Sequence, residues 1–333
     1  MILITGATGH IGNVLARRLA RLGRSLRALV LPGEGLEALQ GVPLEIVRGD
    51  VTHEDDVARA VEGVDTVFHL AGLISTLPDP QPEVERVNVE GTATVVAACR
   101  RGGVRRLVYT SSIHASRRRP PGIILDETAS FDPRSAIAAY DRSKAYASLL
   151  VQQASREGLD AVIVCPTGVI GPMDFRMSEM GGLVHDALVQ HVLWTVDGAY
   201  NFVDVRDVAE GEILAASRGR MGETYILGGE RVTVRRLMDL VRRAAGRTAR
   251  ILRVPLPLVR LGARLAPVWA SMRRSRPRLT PYAVETLQSP SHISSARARR
   301  HLGYQTRPLH ETLVDTIAWW RGSPTLYPSQ SSP

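Results

Sequence analysis

Lysine is almost absent from this chain: of its 42 basic residues, 41 are arginine and one, Lys144, is lysine. Arginine stays charged to pH ~12 and above and presents a wide planar fork, whereas lysine is a compact ammonium. A chain that uses arginine everywhere else marks residue 144 as a place where the compact cation is wanted. Cysteine is nearly as scarce. Cys99 and Cys165 lie far apart in apolar surroundings, which suits two free buried thiols in a reducing compartment better than a disulfide. These cysteines and the scattered histidines lack ligand spacing, so no metal site is expected. No run approaches the ~20 apolar residues of a membrane helix. The nearest, residues 254–270, is broken by Arg260, Arg264 and prolines. Met1 to Thr5 run straight into a glycine turn with no basic region and no cleavage site, so no signal peptide is expected and the cytoplasm is the expected location. There is no Walker loop, no Gly-x-Ser-x-Gly elbow and no internal repeat.

The net charge is +9, and only 5% of residues are aromatic. Basic balance of this size invites nucleic acid as a partner, as do the clusters Arg117, Arg118, Arg119 and Arg273, Arg274. The arginines, however, are spread along the whole length without interleaved aromatics or a nucleic-acid module, so a small-molecule partner is expected instead. Hydrophobic residues at 44% against 23% charged leave ample material for a core, and the length allows two structural units or one large one.

The first two-thirds read as strand and helix in alternation. Apolar runs at 1–5, 25–31, 44–48, 65–70, 105–111 and 161–165 predict strands, and helical spacing predicts helices at 10–22, 54–62, 83–101 and 136–157. Alternation at this spacing implies an α/β protein whose parallel sheet has helices on both faces. The last third adds strands at 201–205 and 224–227 and is otherwise mostly helical with proline breaks. The stretch 201–221 is expected to return to the sheet.

Between the first strand and the first helix stands Thr5-Gly6-Ala7-Thr8-Gly9-His10-Ile11-Gly12. A helix N-terminus offers unpaired N–H groups and partial positive charge, and so accepts a pyrophosphate. Gly6 permits the turn, Gly9 lets phosphates approach the backbone, and Gly12 allows close packing. Four-residue spacing puts Tyr140 and Lys144 of Tyr140-Asp141-Arg142-Ser143-Lys144 on one helix face. A phenol is a poor base at neutral pH unless a neighbouring positive charge lowers its pKa.

These motifs, in this order, resemble the extended short-chain dehydrogenase/reductase superfamily of the NAD-dependent epimerase/dehydratase type. The resemblance runs from Met1 to about Arg321. It implies a Rossmann-type, doubly wound parallel sheet, with a dinucleotide-binding unit at 1–171 plus about 201–221. A smaller, mostly helical substrate lobe at 172–200 plus 222–322 and a frayed tail at 323–333 complete the expected organisation. For the cofactor, NAD or NADP, the implied contacts are Gly6, Thr8, Gly9, His10 and Ile11 in the turn and Leu31 after the second strand. Asp50 and Val51 after the third strand, Leu70, Ala71 and Gly72 after the fourth, and Pro166, Thr167 and Val169 past the nicotinamide complete the cradle. Asn88 matches a helix position that buttresses the site, whereas His69 reads as a satisfied core histidine.

The catalytic set implied by the resemblance is Ser112, Tyr140 and Lys144. Tyr140 exchanges a proton with the substrate oxygen as hydride moves at the nicotinamide. Lys144 tunes Tyr140 and binds the nicotinamide ribose, so both residues also belong to the cofactor set. Ser112 of Tyr109-Thr110-Ser111-Ser112-Ile113 is the hydroxyl for the substrate oxygen, with Ser111 as the fallback; His114 is read as a loop histidine. Pro166-Thr167-Gly168, where nucleotide-sugar enzymes carry asparagine at the position of Thr167, is closer to the dihydroflavonol-reductase and 3β-hydroxysteroid-dehydrogenase side. The expected activity is therefore NAD(P)-dependent oxidoreduction of a carbonyl or secondary alcohol. A nucleotide-sugar epimerase or dehydratase is the alternative, and a cofactor sensor ranks last because both Tyr140 and Lys144 are kept. Val30 and Leu31 stand where NAD and NADP are told apart and do neither job, leaving Glu34, Arg27 and Arg48 as candidates. The long helix bearing Tyr140 forms dimer contacts in similar proteins, so a homodimer is expected.

Overall fold

Strands buried on both faces need apolar side chains pointing both ways, and the short Val/Ile/Leu runs of this chain meet that need. The computed structural model describes residues 1–75, 81–120, 122–248, 250–255, 257–259 and 292–322. Its first half runs β1 (Ile2–Thr5), α1 (His10–Arg21), β2 (Leu26–Val30), β3 (Glu45–Arg48), α2 (Glu54–Val61), β4 (Thr66–His69), α3 (Pro82–Glu85), α4 (Gly91–Arg101), β5 (Arg106–Thr110), α5 (Ala139–Arg156) and β6 (Ala161–Pro166). Then follow β7 (Gly168–Ile170), α6 (Glu179–Val189), β8 (Val192–Thr195), β9 (Ala199–Asp204), α7 (Val205–Arg218), β10 (Thr224–Leu227), β11 (Glu230–Thr233), α8 (Val234–Ala244), β12 (Arg250–Arg253) and α9 (Leu309–Trp320).

Seven strands form one sheet in the order β3-β2-β1-β4-β5-β6-β10, every neighbouring pair parallel. This is the expected Rossmann-type sheet. Strand alternation sends Leu3, Val67, Leu107 and Ile163 toward α2, α4 and α5. Their neighbours Ile4, Phe68, Val108 and Val164 point to the opposite face, toward α1 and α7. The chain reverses direction of travel across the sheet between β1 and β4, so a groove opens at the carboxyl ends of those two strands.

The segment 199–227 departs from expectation. β9 does not return to the large sheet: it pairs with β7 and β11 in a separate three-stranded sheet. The element that returns is α7, which packs against α1, and it delivers β10 to the outer edge of β6. Thr224–Leu227, expected in the outer lobe, is thus the last strand of the large sheet. Tyr225, Ile226 and Leu227 are fully buried, which an apolar run between Gly222 and Gly228 permits on both faces. The helix expected over 83–101 is interrupted by a widened π turn at Arg86–Glu90. The tail expected from 323 lies outside the described residues. No helix among the described residues is long and apolar enough to cross a membrane.

One arginine ties the end of α7 to the sheet. Arg106 forms a two-pronged pair with Asp160, with contacts of 2.7–3.0 Å. Its Nη1 donates to the carbonyls of Ala215, Ala216 and Gly219 at 3.2, 3.1 and 2.8 Å, at a helix C-terminus whose last carbonyls run short of intrahelical donors. Arg106→Ala is expected to cost about 2–3 kcal/mol. A urea titration should show this as a lower midpoint at unchanged slope.

Candidate active site

The glycine turn is fixed by close backbone approaches. Gly6 sits at φ +72, and a Cβ there would meet Ala71 N at 2.6 Å. A Cβ on Gly12 would overlap the Gly6 carbonyl, so Gly12 is needed for the turn's own closure. α1 begins after Gly9 with no side chain capping it, and Asn13 Nδ2 donates instead to the carbonyls of Gly9, His10 and Met173. Uncapped N–H groups above a cradle that a methyl would fill suit a pyrophosphate. His10 is held by the Pro172 carbonyl at 3.0 Å.

At the adenosine end, Arg27 is turned away: it pairs with Glu45 and donates to the Ala60 and Glu62 carbonyls. Arg48 donates to the carbonyls of Leu31 and Glu34 and so braces the turn after β2. The Glu34 carboxylate accepts from the Thr8 hydroxyl and pairs with Arg176, which also donates to Thr8. Glu34 therefore does face the phosphate turn. One Asp50 oxygen accepts from the backbone and hydroxyl of Thr52, while Val51 is buried beneath Gly91.

The residues expected to handle the proton lie at the end of β5 and on the start of α5. Tyr140 and Lys144 lie one turn apart near the start of α5. Burial pushes the Tyr140 phenol up to about 12, outweighing the Ser112 side chain, which favours its ionisation. Ser112 accepts from the His114 backbone N–H at 3.2 Å. Ser111, the fallback, is turned inward onto Ser148 at 2.6 Å. Lys144 is held from the strand side. The Lys144 ammonium donates to the Thr110 carbonyl at 2.8 Å and lies 5.0 Å from the centre of the Tyr109 ring. Burial brings it down to about 8, against the opposing pull of Cys165 and Glu212.

The surrounding residues set this geometry. Asn88, placed by the π turn, accepts from Leu73 N at 2.7 Å and donates to Leu73 O and Ser143 Oγ, both at 2.9 Å. A Cβ on Gly72 would lie 2.9 Å from Asn88 Oδ1 and 3.4 Å from Lys144 Nζ, so Gly72 leaves the lysine its room. His69 is bonded on both nitrogens, to Thr5 and Thr92, and burial with the Lys144 charge holds it down to about 3. It is a neutral core histidine, as read. Pro166 ends β6, and Val169 lies in the short β7 paired with Val203. The Thr167 hydroxyl donates to Asn201 Oδ1 at 2.9 Å.

Two groupings escape sequence reading. His114 does have a partner, for its ring is hydrogen-bonded to the Tyr200 hydroxyl and stacked on the Tyr200 ring. Tyr200 in turn packs over Gly168, where a Cβ would strike the ring at 2.6 Å. Glu212, buried on α7, accepts from the Thr110 hydroxyl at 2.6 Å. These pairings join residues 86 and 102 positions apart, and no local spacing signals them.

A sheet of this order with a glycine cradle, a Tyr–Ser pair and a buried lysine at its carboxyl edge defines a nicotinamide-dependent oxidoreductase. Comparison with known proteins gives the family. Residues 2–228 match the profile of the NAD dependent epimerase/dehydratase family, and the chain belongs to that family. It is 34% identical over 323 residues to the sterol demethylase protein B of Methylococcus capsulatus, covering 96% of this chain and 98% of that protein. It is 31% identical over 323 residues to a putative dihydroflavonol 4-reductase of Synechocystis, covering 96% and 94%. The crystal structure of the Thermus thermophilus UDP-glucose 4-epimerase in complex with NAD shares the fold, with a TM-score of 0.77, 23% identity and coverage of 97% and 99%. The resemblance to the dihydroflavonol-reductase side is thus borne out by a relative of that name.

Proposed function

We propose that this groove reduces the ketone of an apolar, polycyclic substrate, or oxidises the matching secondary alcohol, using NAD or NADP. The observation that carries the reading is Tyr140 one helical turn from the buried Lys144, whose ammonium is held on the Thr110 carbonyl two residues before Ser112, together with the glycine cradle. Gly6, Thr8, Gly9, His10 and Ile11 would hold the pyrophosphate. Leu31, Asp50 and Val51 would flank the adenosine, and Leu70, Ala71, Gly72, Pro166, Thr167 and Val169 the nicotinamide half. When bound, the dinucleotide supplies or accepts the hydride at the substrate carbon.

The chain's own residues handle the proton. A phenol raised by burial keeps its proton at neutral pH, which suits Tyr140 to donate to a carbonyl oxygen as that oxygen gains charge. Ser112 offers a second hydroxyl to the same oxygen and orients the phenol. Lys144, mostly ammonium at pH 7, places positive charge where phenolate is left after the transfer. The rim beyond Gly72 carries Leu73 and Ile74, 38% and 68% exposed, and apolar side chains at the mouth of a groove favour an apolar ligand. The relatives named for a sterol and for a dihydroflavonol point to ring systems of that kind.

The test is to identify the nucleotide carried through purification and follow its redox change on ketosteroids, dihydroflavonols and UDP- or dTDP-sugars. Consumption of reduced nucleotide with a polycyclic ketone is expected. Tightly held NAD with conversion of a nucleotide sugar, and none of the ketones, would replace this reading with an epimerase or dehydratase. We place the protein in the cytoplasm as a homodimer whose contact includes α5, on which Tyr146 is 50% exposed. Light scattering on the same preparation checks the dimer, and a monomer would remove that part.

A further inference from the structure

Glu212 has an environment that an ordinary structural glutamate would not tolerate. It has no exposed surface, and only Oε1 is engaged, by the Thr110 hydroxyl at 2.6 Å. Oε2 is buried without a hydrogen-bond partner among the described residues. A buried carboxyl half satisfied is costly, and a glutamine or an apolar residue would serve packing better. The same Thr110 gives its carbonyl to the Lys144 ammonium at 2.8 Å. One residue of β5 therefore joins a buried acid on α7 to the buried cation on α5.

The groups facing Lys144 come from every side. They are Tyr109 on β5, His69 on β4, Cys165 on β6 and Glu212 on α7, with Tyr140 one turn earlier on its own helix. Burial keeps His69 uncharged, raises the Tyr109 phenol, and pushes the Cys165 thiol up to about 12. Glu212 is the one carboxyl of this set, and it takes on its negative charge only as pH rises past neutrality. Burial pushes it up to about 8, against Thr110 and Lys144, the range in which burial also leaves Lys144.

We propose that Glu212 is a positioning residue for Lys144: through Thr110 it fixes the carbonyl that receives the ammonium, and the carboxylate it becomes as pH rises holds the proton on the amine. The proposal rests on Lys144 acting in the groove as read above. An opposite charge favours the protonated amine. Removing it makes Lys144 lose its proton at lower pH, so activity that needs the ammonium is lost earlier as pH rises.

The scarcity of lysine makes this measurable without turnover. In protein labelled with 13C at the lysine ε carbon, Lys144 gives the one lysine side-chain resonance, and its shift against pH is the titration of that amine. Glu212→Gln keeps the volume and can still accept from Thr110. Its Lys144 midpoint is expected about one pH unit below wild type, and Glu212→Asp is expected to restore part of the shift. The alkaline limb of kcat/KM should move the same way. Coincident midpoints in wild type and Glu212→Gln overturn the proposal. If Glu212→Gln fails to fold, Thr110→Val is read by the same resonance, where a lowered midpoint supports the bridge and an unchanged one overturns it. A shifted resonance in an enzyme that turns over no ketone would sink the proposed function and leave the Glu212–Lys144 link standing.

Discussion

Tyr140→Phe is expected to lower kcat by about 10³–10⁴-fold, the upper part of the range for positioned acid–base catalysis, while nucleotide affinity is unchanged. The hydroxyl is the only atom removed. It belongs to a side chain on α5, whereas the cradle is built from the backbone of residues 6–12 and 70–72. Binding and chemistry therefore separate at this residue. Ser112 remains in place, held by the His114 backbone N–H, so the ring loses a proton donor without a collapse of its surroundings. Nucleotide fluorescence titration and steady-state turnover, run on one preparation, check both halves. A variant that binds nucleotide and turns over at the wild-type rate would sink the assignment of the phenol as acid.

The second large effect is expected of Lys144→Arg. The charge is kept, yet kcat/KM should fall roughly 10²–10³-fold, as when one positioned donor is lost. Lys144 is buried, and its ammonium reaches the Thr110 carbonyl at 2.8 Å. A methyl on Gly72 would already come within 3.4 Å of the nitrogen, so the space holds an ammonium and little more. A guanidinium is wider, planar and directs its donors as a fork. It must displace Asn88 or lift α5, and crowding of this sort also destabilises by about 1–3 kcal/mol. The melting temperature should fall with the activity. Unimpaired kinetics would mean that the solitary lysine of this arginine-rich chain stands there by accident.

Much of the site was legible because it is written in short range. Gly6, Gly9 and Gly12 sit at one strand–helix junction, Tyr140 and Lys144 one helical turn apart, and the burial pattern of β1, β4, β5 and β6 follows from runs of Val, Ile and Leu. The inward bond of Ser111, the fallback, needed the fold: successive residues point opposite ways, and Ser148, which receives Ser111, stands on α5. The place of Thr224–Leu227 was hidden for a similar reason. Two buried strands, 199–204 and 224–227, both carry apolar runs, and the one that reaches β6 is the one that follows α7, which packs on α1. The protein groups that hold Lys144 were not legible in the sequence, because Thr110 and Glu212 arrive from β5 and α7.

The position of β10 also has a consequence for synthesis. The strand that covers the outer side of Ala161–Pro166 is not made until residue 227 has been added. A nascent chain thus exposes an apolar strand edge during the roughly sixty additions that follow β6, about 3–12 s at 5–20 residues per second. Unpaired edges of this kind invite pairing with other chains. Expression in a host that elongates quickly, or that supplies ample holding chaperones, shortens or shields that interval.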